Sequence, residues 1–237
     1  MAIEAEWWDY DDADELAEAV AGDVGFILDS AIDARGSALI AVPGGTTPRP
    51  ALALLAAQKR DWKAVTIVPT DDRLVPMGDA LSNVTALARL FLPKGARVVP
   101  LTSEKAPDPK AAGRSADAVL QDLHWPPDLV WLGVGADGHT ASIFPGPDFE
   151  DAVAGPRERR VVGVTPDPLP AEAPVPRVTL TRSAILQAKT LIITIAGDAK
   201  RQVLERAIAD GASSRTPVGR VLADCELPVD IHWSAAD

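Results

Sequence analysis

ALIAVPGGTTPRPALALLAAQK, Ala38 to Lys59, decides how the chain is read. It opens with five apolar residues and no polar alternation, the pattern of a strand buried on both faces. A glycine-rich turn, Pro43 to Pro48, interrupts it. Arg49 to Lys59 then has helical character, with Pro48 suited to the first turn. The same strand, loop and helix order recurs along the chain. Val65 to Pro69 runs into Thr70-Asp71-Asp72-Arg73, and a helix is expected from Ser82-Asn83 to Leu92. Asp128 to Leu132 (DLVWL) runs into GVGADGHTASIFPG, Gly133 to Gly146. Leu191 to Ile195 (LIITI) runs into Gly197-Asp198, before a helix over Ala199 to Ala209. Residues 12–34 and Pro109 to Leu123 read as further helices. Arg160 to Val164 and Val229 to Trp233 read as strands. Apolar strands alternating with helices predict a mostly parallel sheet covered on both faces. In such a sheet the ligand binds beyond the carboxyl ends of the strands, where PGGTTP, TDDR, GVGADGH and AGDAK all fall.

Composition narrows the function. The chain has 237 residues, enough for one large α/β domain over 1–237. With 34 acidic and 23 basic residues its formal net charge is −11. That argues against nucleic acid or an anionic membrane as partner. An anionic ligand therefore needs a local cluster of Arg, Lys and backbone amides. The single cysteine, Cys225, excludes an internal disulfide and a cysteine zinc cluster, and its apolar setting predicts a buried small residue. The acidic start lacks signal-peptide features, and no apolar run reaches membrane-spanning length, so a cytoplasmic protein is expected.

Each loop has a plain reading and a chemical one. Gly133, Gly135 and Gly138 match GxGxxG after a strand, with Glu158 at a distance suited to a ribose contact. A dinucleotide site needs a long helix at the third glycine, and Pro145-Gly146 forbids one, so that reading is rejected. Gly44, Gly45, Thr46 and Thr47 form a phosphate cradle or merely a capped turn. Asp71-Asp72-Arg73 is a solvated polar turn, or places a guanidinium fork on an oxygen-rich substrate. His139, with Asp137 two residues away and glycines around it, suits acid–base chemistry. Ser142 lacks a nucleophile elbow and is taken as the start of a helix. His124 and His232 read as structural, and three scattered histidines give no zinc site. Arg177 and Lys200 are either surface cations or anion ligands. Thr165 to Arg177, with five prolines, reads as a semi-rigid loop bordering the site or a surface connection.

Taken in order, PGGTTP, TDDRLVPMGDALSN, GADGHTASIFPG, PRVTLT and GDAK resemble the 6-phosphogluconolactonase family, from about Ala38 to Trp233. The resemblance implies a Rossmann-like three-layer α/β/α fold. It implies hydrolysis of 6-phospho-D-glucono-1,5-lactone to 6-phosphogluconate in the oxidative pentose phosphate pathway, without cofactor or metal. By position it implies catalytic roles for Asp71, Arg73 and His139, with Asp137 orienting the histidine. Gly44, Gly45, Thr46, Thr47, Ser82, Asn83, Arg177 and Lys200 then surround the phosphosugar. Two departures stand out. Asp72 replaces the family's usual glutamate, and Pro43 replaces a serine at the glycine loop. The partner implied is a small phosphosugar lactone, and the expected state is a monomer or weak homo-oligomer. Two rivals share the scaffold: a phosphosugar isomerase or deaminase, and a non-catalytic phosphosugar sensor. The continuation TASIFPG after DGH argues against the first. The absence of a helix-turn-helix segment argues against the second.

Overall fold

A computed structural model describes residues 3–102 and 108–235. In chain order its elements are β1 (Ala5–Tyr10), α1 (Ala13–Arg35), β2 (Ala38–Val42), α2 (Arg49–Ala57), β3 (Val65–Pro69), β4 (Asp71–Arg73), α3 (Asn83–Phe91) and β5 (Arg97–Val98). They continue with α4 (Pro109–Gln121), β6 (Leu129–Gly133), α5 (Phe149–Val153), β7 (Val161–Val164), β8 (Arg177–Leu180), α6 (Arg182–Leu186), β9 (Leu191–Ala196), α7 (Asp198–Asp210), α8 (Pro217–Leu222) and β10 (Val229–Ser234). Seven strands form a parallel sheet in the order β1-β10-β9-β6-β2-β3-β5.

The strands are apolar on both faces because each face meets its own core. Leu39, Ala41, Val130 and Leu132 point into one cluster, with α4, α6, α7 and α8. Their neighbours Ile40, Val42, Leu129 and Trp131 point into the other, with α1, α2 and α3. This is the period-two alternation of a strand sandwiched between helical layers. Among the described residues no helix is long and apolar enough to cross a membrane.

Three features depart from the sequence reading. β1 was not anticipated. It is an edge strand paired with β10, its acidic residues facing out and Trp7 packed inward. Arg160 to Val164 and the Val178 segment do not extend the parallel layer. They supply β7 and β8 of a separate antiparallel sheet, ordered β4-β8-β7. Asp71 to Arg73 is not a free turn, because it forms β4 of that second sheet. Thr70 joins the two sheets: its N–H donates to Val42 and its carbonyl accepts from Leu180.

Candidate active site

The parallel sheet changes winding direction beside β2, which pairs with β3 on one side and β6 on the other. Loops leaving adjacent strands at such a point diverge and open a cleft. Here the cleft holds about 310 Å³. It is lined by Pro43 to Pro48 after β2, by Gly133 to Gly135 after β6, and by Thr194 and Ile195 of β9. That volume lies at the small end of ligand sites.

The turn after β2 owes its shape to a close approach. A Cβ at Gly44 would lie 1.9 Å from Asn83 Oδ1, so only glycine fits. No side chain caps α2, correcting the plain reading in which Thr46 or Thr47 does so. Both threonines line the cleft instead. The first turn of α2 thus keeps the polarity that favours an anion.

The second wall comes from β4 and β8, whose register sets Arg73 opposite Arg177 and Asp71 opposite Thr179. Side chains alternate along a strand, so Asp71 and Arg73 share a face while Asp72 points away. Asp71, Arg73 and Arg177 accordingly line the cleft and Asp72 does not. Asp72 is fully buried. It accepts backbone N–H bonds from Arg73 (2.9 Å), Asn83 (2.7 Å) and Val84 (3.2 Å), and a hydroxyl bond from Ser82 (3.3 Å). Burial pushes its carboxyl above the ordinary range, against the lowering effect of those three N–H donors. Ser82 also caps α3 through Thr85 N–H. It is buried and is not among the residues that line the cleft. Asn83 does line the cleft. It accepts from Arg73 Nη1 at 2.9 Å and donates to the Asp71 carbonyl at 2.8 Å.

Arg177 is 1% exposed and donates from Nη2 to the Ala173 carbonyl at 3.1 Å. Burial lowers its pKa, the Asp71 charge opposes that shift, and the Arg73 charge adds to it. The Nε atoms of both Arg73 and Arg177 are buried without a hydrogen-bond partner among the described residues. Both residues line the cleft, and a guanidinium there suits an anion by its charge and planar fork. Lys200, in the first turn of α7, and Glu172, from the proline-rich segment, complete the lining. That segment therefore borders the cleft.

His139 enters from the loop after β6. The loop closes through Gly135 N–H to the His139 carbonyl at 2.9 Å and Thr140 Oγ1 to the Gly133 carbonyl at 2.8 Å. A Cβ at Gly135 would lie 2.3 Å from His139 Nδ1, so the imidazole lies directly over that backbone. No helix starts at Gly138; the next is α5, so the three glycines form no dinucleotide fingerprint, and of them Gly135 is the one that packs under the imidazole. Asp137 Oδ1 lies 2.5 Å from His139 Nδ1 and also accepts the His139 N–H at 3.1 Å. Burial raises the Asp137 carboxyl, but the bonds and charge of His139 outweigh it and hold it below its ordinary value. With Nδ1–H directed at Asp137, Nε2 is the nitrogen that can take a proton. Asp137 does not itself line the cleft.

Ser142 is not a helix start. It lies in a turn, almost wholly buried, and its hydroxyl donates to Asp71 Oδ2 at 2.5 Å. His232 accords with a structural role, its Nδ1 2.9 Å from the Tyr10 hydroxyl. Cys225 is buried, as its surroundings predicted. Among the described residues no cluster of three or more His, Cys, Asp or Glu side chains is arranged to hold a metal ion.

Comparison with known proteins follows the same outline. A model of the family described as glucosamine-6-phosphate isomerases/6-phosphogluconolactonase matches residues 11–233. A 6-phosphogluconolactonase of Mesorhizobium japonicum is 39% identical over 234 residues, spanning 96% of this chain and 94% of the relative. One from Rhizobium meliloti is 37% identical, spanning 95% and 97%. The crystal structure of a 6-phosphogluconolactonase from Shewanella baltica matches with a TM-score of 0.88 at 32% identity, covering 99% of this chain and all of that one.

Proposed function

From membership of the glucosamine-6-phosphate isomerase/6-phosphogluconolactonase family, to which this chain belongs, we infer that the protein opens 6-phospho-D-glucono-1,5-lactone to 6-phosphogluconate, the hydrolytic step of the oxidative pentose phosphate pathway. The observation that carries the site assignment is the pairing of His139 with Asp137 at 2.5 Å, beside a cleft lined by three cationic side chains. A chain of net charge −11 that gathers Arg73, Arg177 and Lys200 at one cleft is suited to an anionic ligand.

His139 Nε2 takes a proton from water as the water oxygen attacks C1 of the lactone. The negative charge of Asp137 stabilises the imidazolium that forms. The imidazolium returns the proton to the ring oxygen as the C1–O bond breaks, leaving a free hydroxyl and a carboxylic acid that ionises. A positioned group of this kind contributes about 10²–10⁴-fold. Arg177, Lys200 and the Gly44-Gly45 turn at the start of α2 hold the phosphate. Asp71 and Asn83 hold the sugar hydroxyls, and Arg73 polarises the C1 carbonyl. Fixing the phosphate end makes attack at C1 effectively intramolecular. Residues 1–237 act as one cytoplasmic domain, monomeric or weakly associated, with no nucleic-acid partner.

The test is direct. Lactone generated from glucose 6-phosphate should open faster with the protein than the spontaneous rate, with 6-phosphogluconate as product. A rate equal to the uncatalysed background would overturn the assignment.

A further inference from the structure

We propose that Phe144 is a positioning residue whose ring couples the phosphate ligand Arg177 to the acid–base group His139. The proposal rests on the lactonase reading and deepens it. Phe144 is 9% exposed, is not part of the cleft lining and offers no polar atom. Any effect it has on the reaction passes through what it touches. Its ring stacks on the His139 imidazole, with centroids 4.2 Å apart and planes inclined by 19°. The guanidinium carbon of Arg177 lies 5.0 Å from the same ring centroid.

Each polar residue needs this contact for a specific reason. Asp137 holds His139 by one nitrogen, which fixes a point on the imidazole but not the tilt of its plane. A ring packed against the imidazole face fixes the tilt, and with it the direction of Nε2. Among the described residues Arg177 makes one side-chain hydrogen bond, from Nη2, and leaves Nε unpaired. The aromatic face is then what holds the guanidinium plane in place. The negative face of the ring also attracts both side chains when they are cationic.

The shared ring has a consequence for turnover. When His139 takes the proton from water, two cations lie against one aromatic ring. A phosphate dianion on Arg177 offsets the repulsion between them. Phosphate binding thus favours imidazolium formation, so an interaction remote from C1 supports the reacting group.

The experiment is a double-mutant cycle with two readouts: 6-phosphogluconate affinity by calorimetry, and kcat for lactone opening. Phe144→Leu keeps apolar bulk and removes the ring. It should weaken product binding about five- to tenfold and lower kcat about tenfold. On an Arg177→Met background the same substitution should change product affinity less than twofold. Additive losses on that background would make Phe144 a packing residue only and overturn the proposal. So would weakened binding with unchanged kcat, or both quantities within twofold of wild type. If Phe144→Leu melts below the assay temperature, Phe144→Met supports the same cycle. A wild type that binds 6-phosphogluconate without opening the lactone would defeat the lactonase reading instead, and the binding half of the cycle would still report on Phe144 and Arg177.

Discussion

The helices α2 and α3 both begin beside the cleft, yet their first turns are built in opposite ways. The start of α3 is closed. Asp72 accepts the N–H groups of Asn83 and Val84, and Ser82 accepts that of Thr85. The start of α2 has no side-chain cap, and its preceding turn presents Gly44 to Thr47 to the cleft. The first four N–H groups of a helix have no partner within it, so each start must satisfy them elsewhere or offer them to a ligand. In α2 the Arg49 N–H is already bonded to the Thr46 carbonyl and Pro50 carries no N–H, so what opens on the cleft there is the Gly44 to Thr47 turn rather than a set of free helix N–H groups. The closed helix holds Asn83, which in turn holds Arg73 and shapes the Gly44 turn. The rigid start thereby frames the receptive one.

Three substitutions bear on this contrast, in falling order of expected effect. Asp72→Ala removes the acceptor for three backbone N–H groups inside the protein. It should cost about 3 kcal/mol or more in denaturant unfolding. Activity should fall with it, because Arg73 and Asn83 lose their frame. An Asp72→Ala protein of wild-type stability would show that α3 does not depend on this carboxylate. Gly44→Ala drives a methyl group into Asn83 and should cost about 1–3 kcal/mol, with a raised KM. A crystal structure with Asn83 undisturbed would contradict the close-approach account. Glu172→Gln removes a negative charge that acts on Arg177. It should lower KM about two- to threefold at low ionic strength, and the difference should shrink as salt screens the exposed carboxylate. A KM that rises would instead assign Glu172 to substrate binding.

Much of the scaffold was legible because β2, β3, β6 and β9 are short, largely apolar runs that end in unusual loops. The loops after β2 and β6 therefore fell at the correct end of the sheet. The second wall was not legible. Nothing local in TDDR or PRVTLT announces that Arg73 lies opposite Arg177, since that register depends on two segments far apart in the chain. Alternation within Asp71-Asp72-Arg73 would have turned Asp72 away from its neighbours, but only once the segment was recognised as a strand. The expectation for Ser82 came from the family resemblance alone, and nothing local in the sequence shows that its hydroxyl bonds Asp72 and caps α3. Ser142 and Phe144 carry no sequence signal for their contacts with Asp71, His139 and Arg177. The strand β1 was missed because an acidic edge strand lacks the continuous apolar run that marked the others.

The most direct test of the account is the rate of 6-phosphogluconolactone opening with His139→Ala, measured on protein shown to be folded by its melting curve. The expected result is a loss of about 10²–10⁴-fold in kcat with 6-phosphogluconate binding largely retained. A folded His139→Ala protein that opens the lactone as fast as wild type would contradict it.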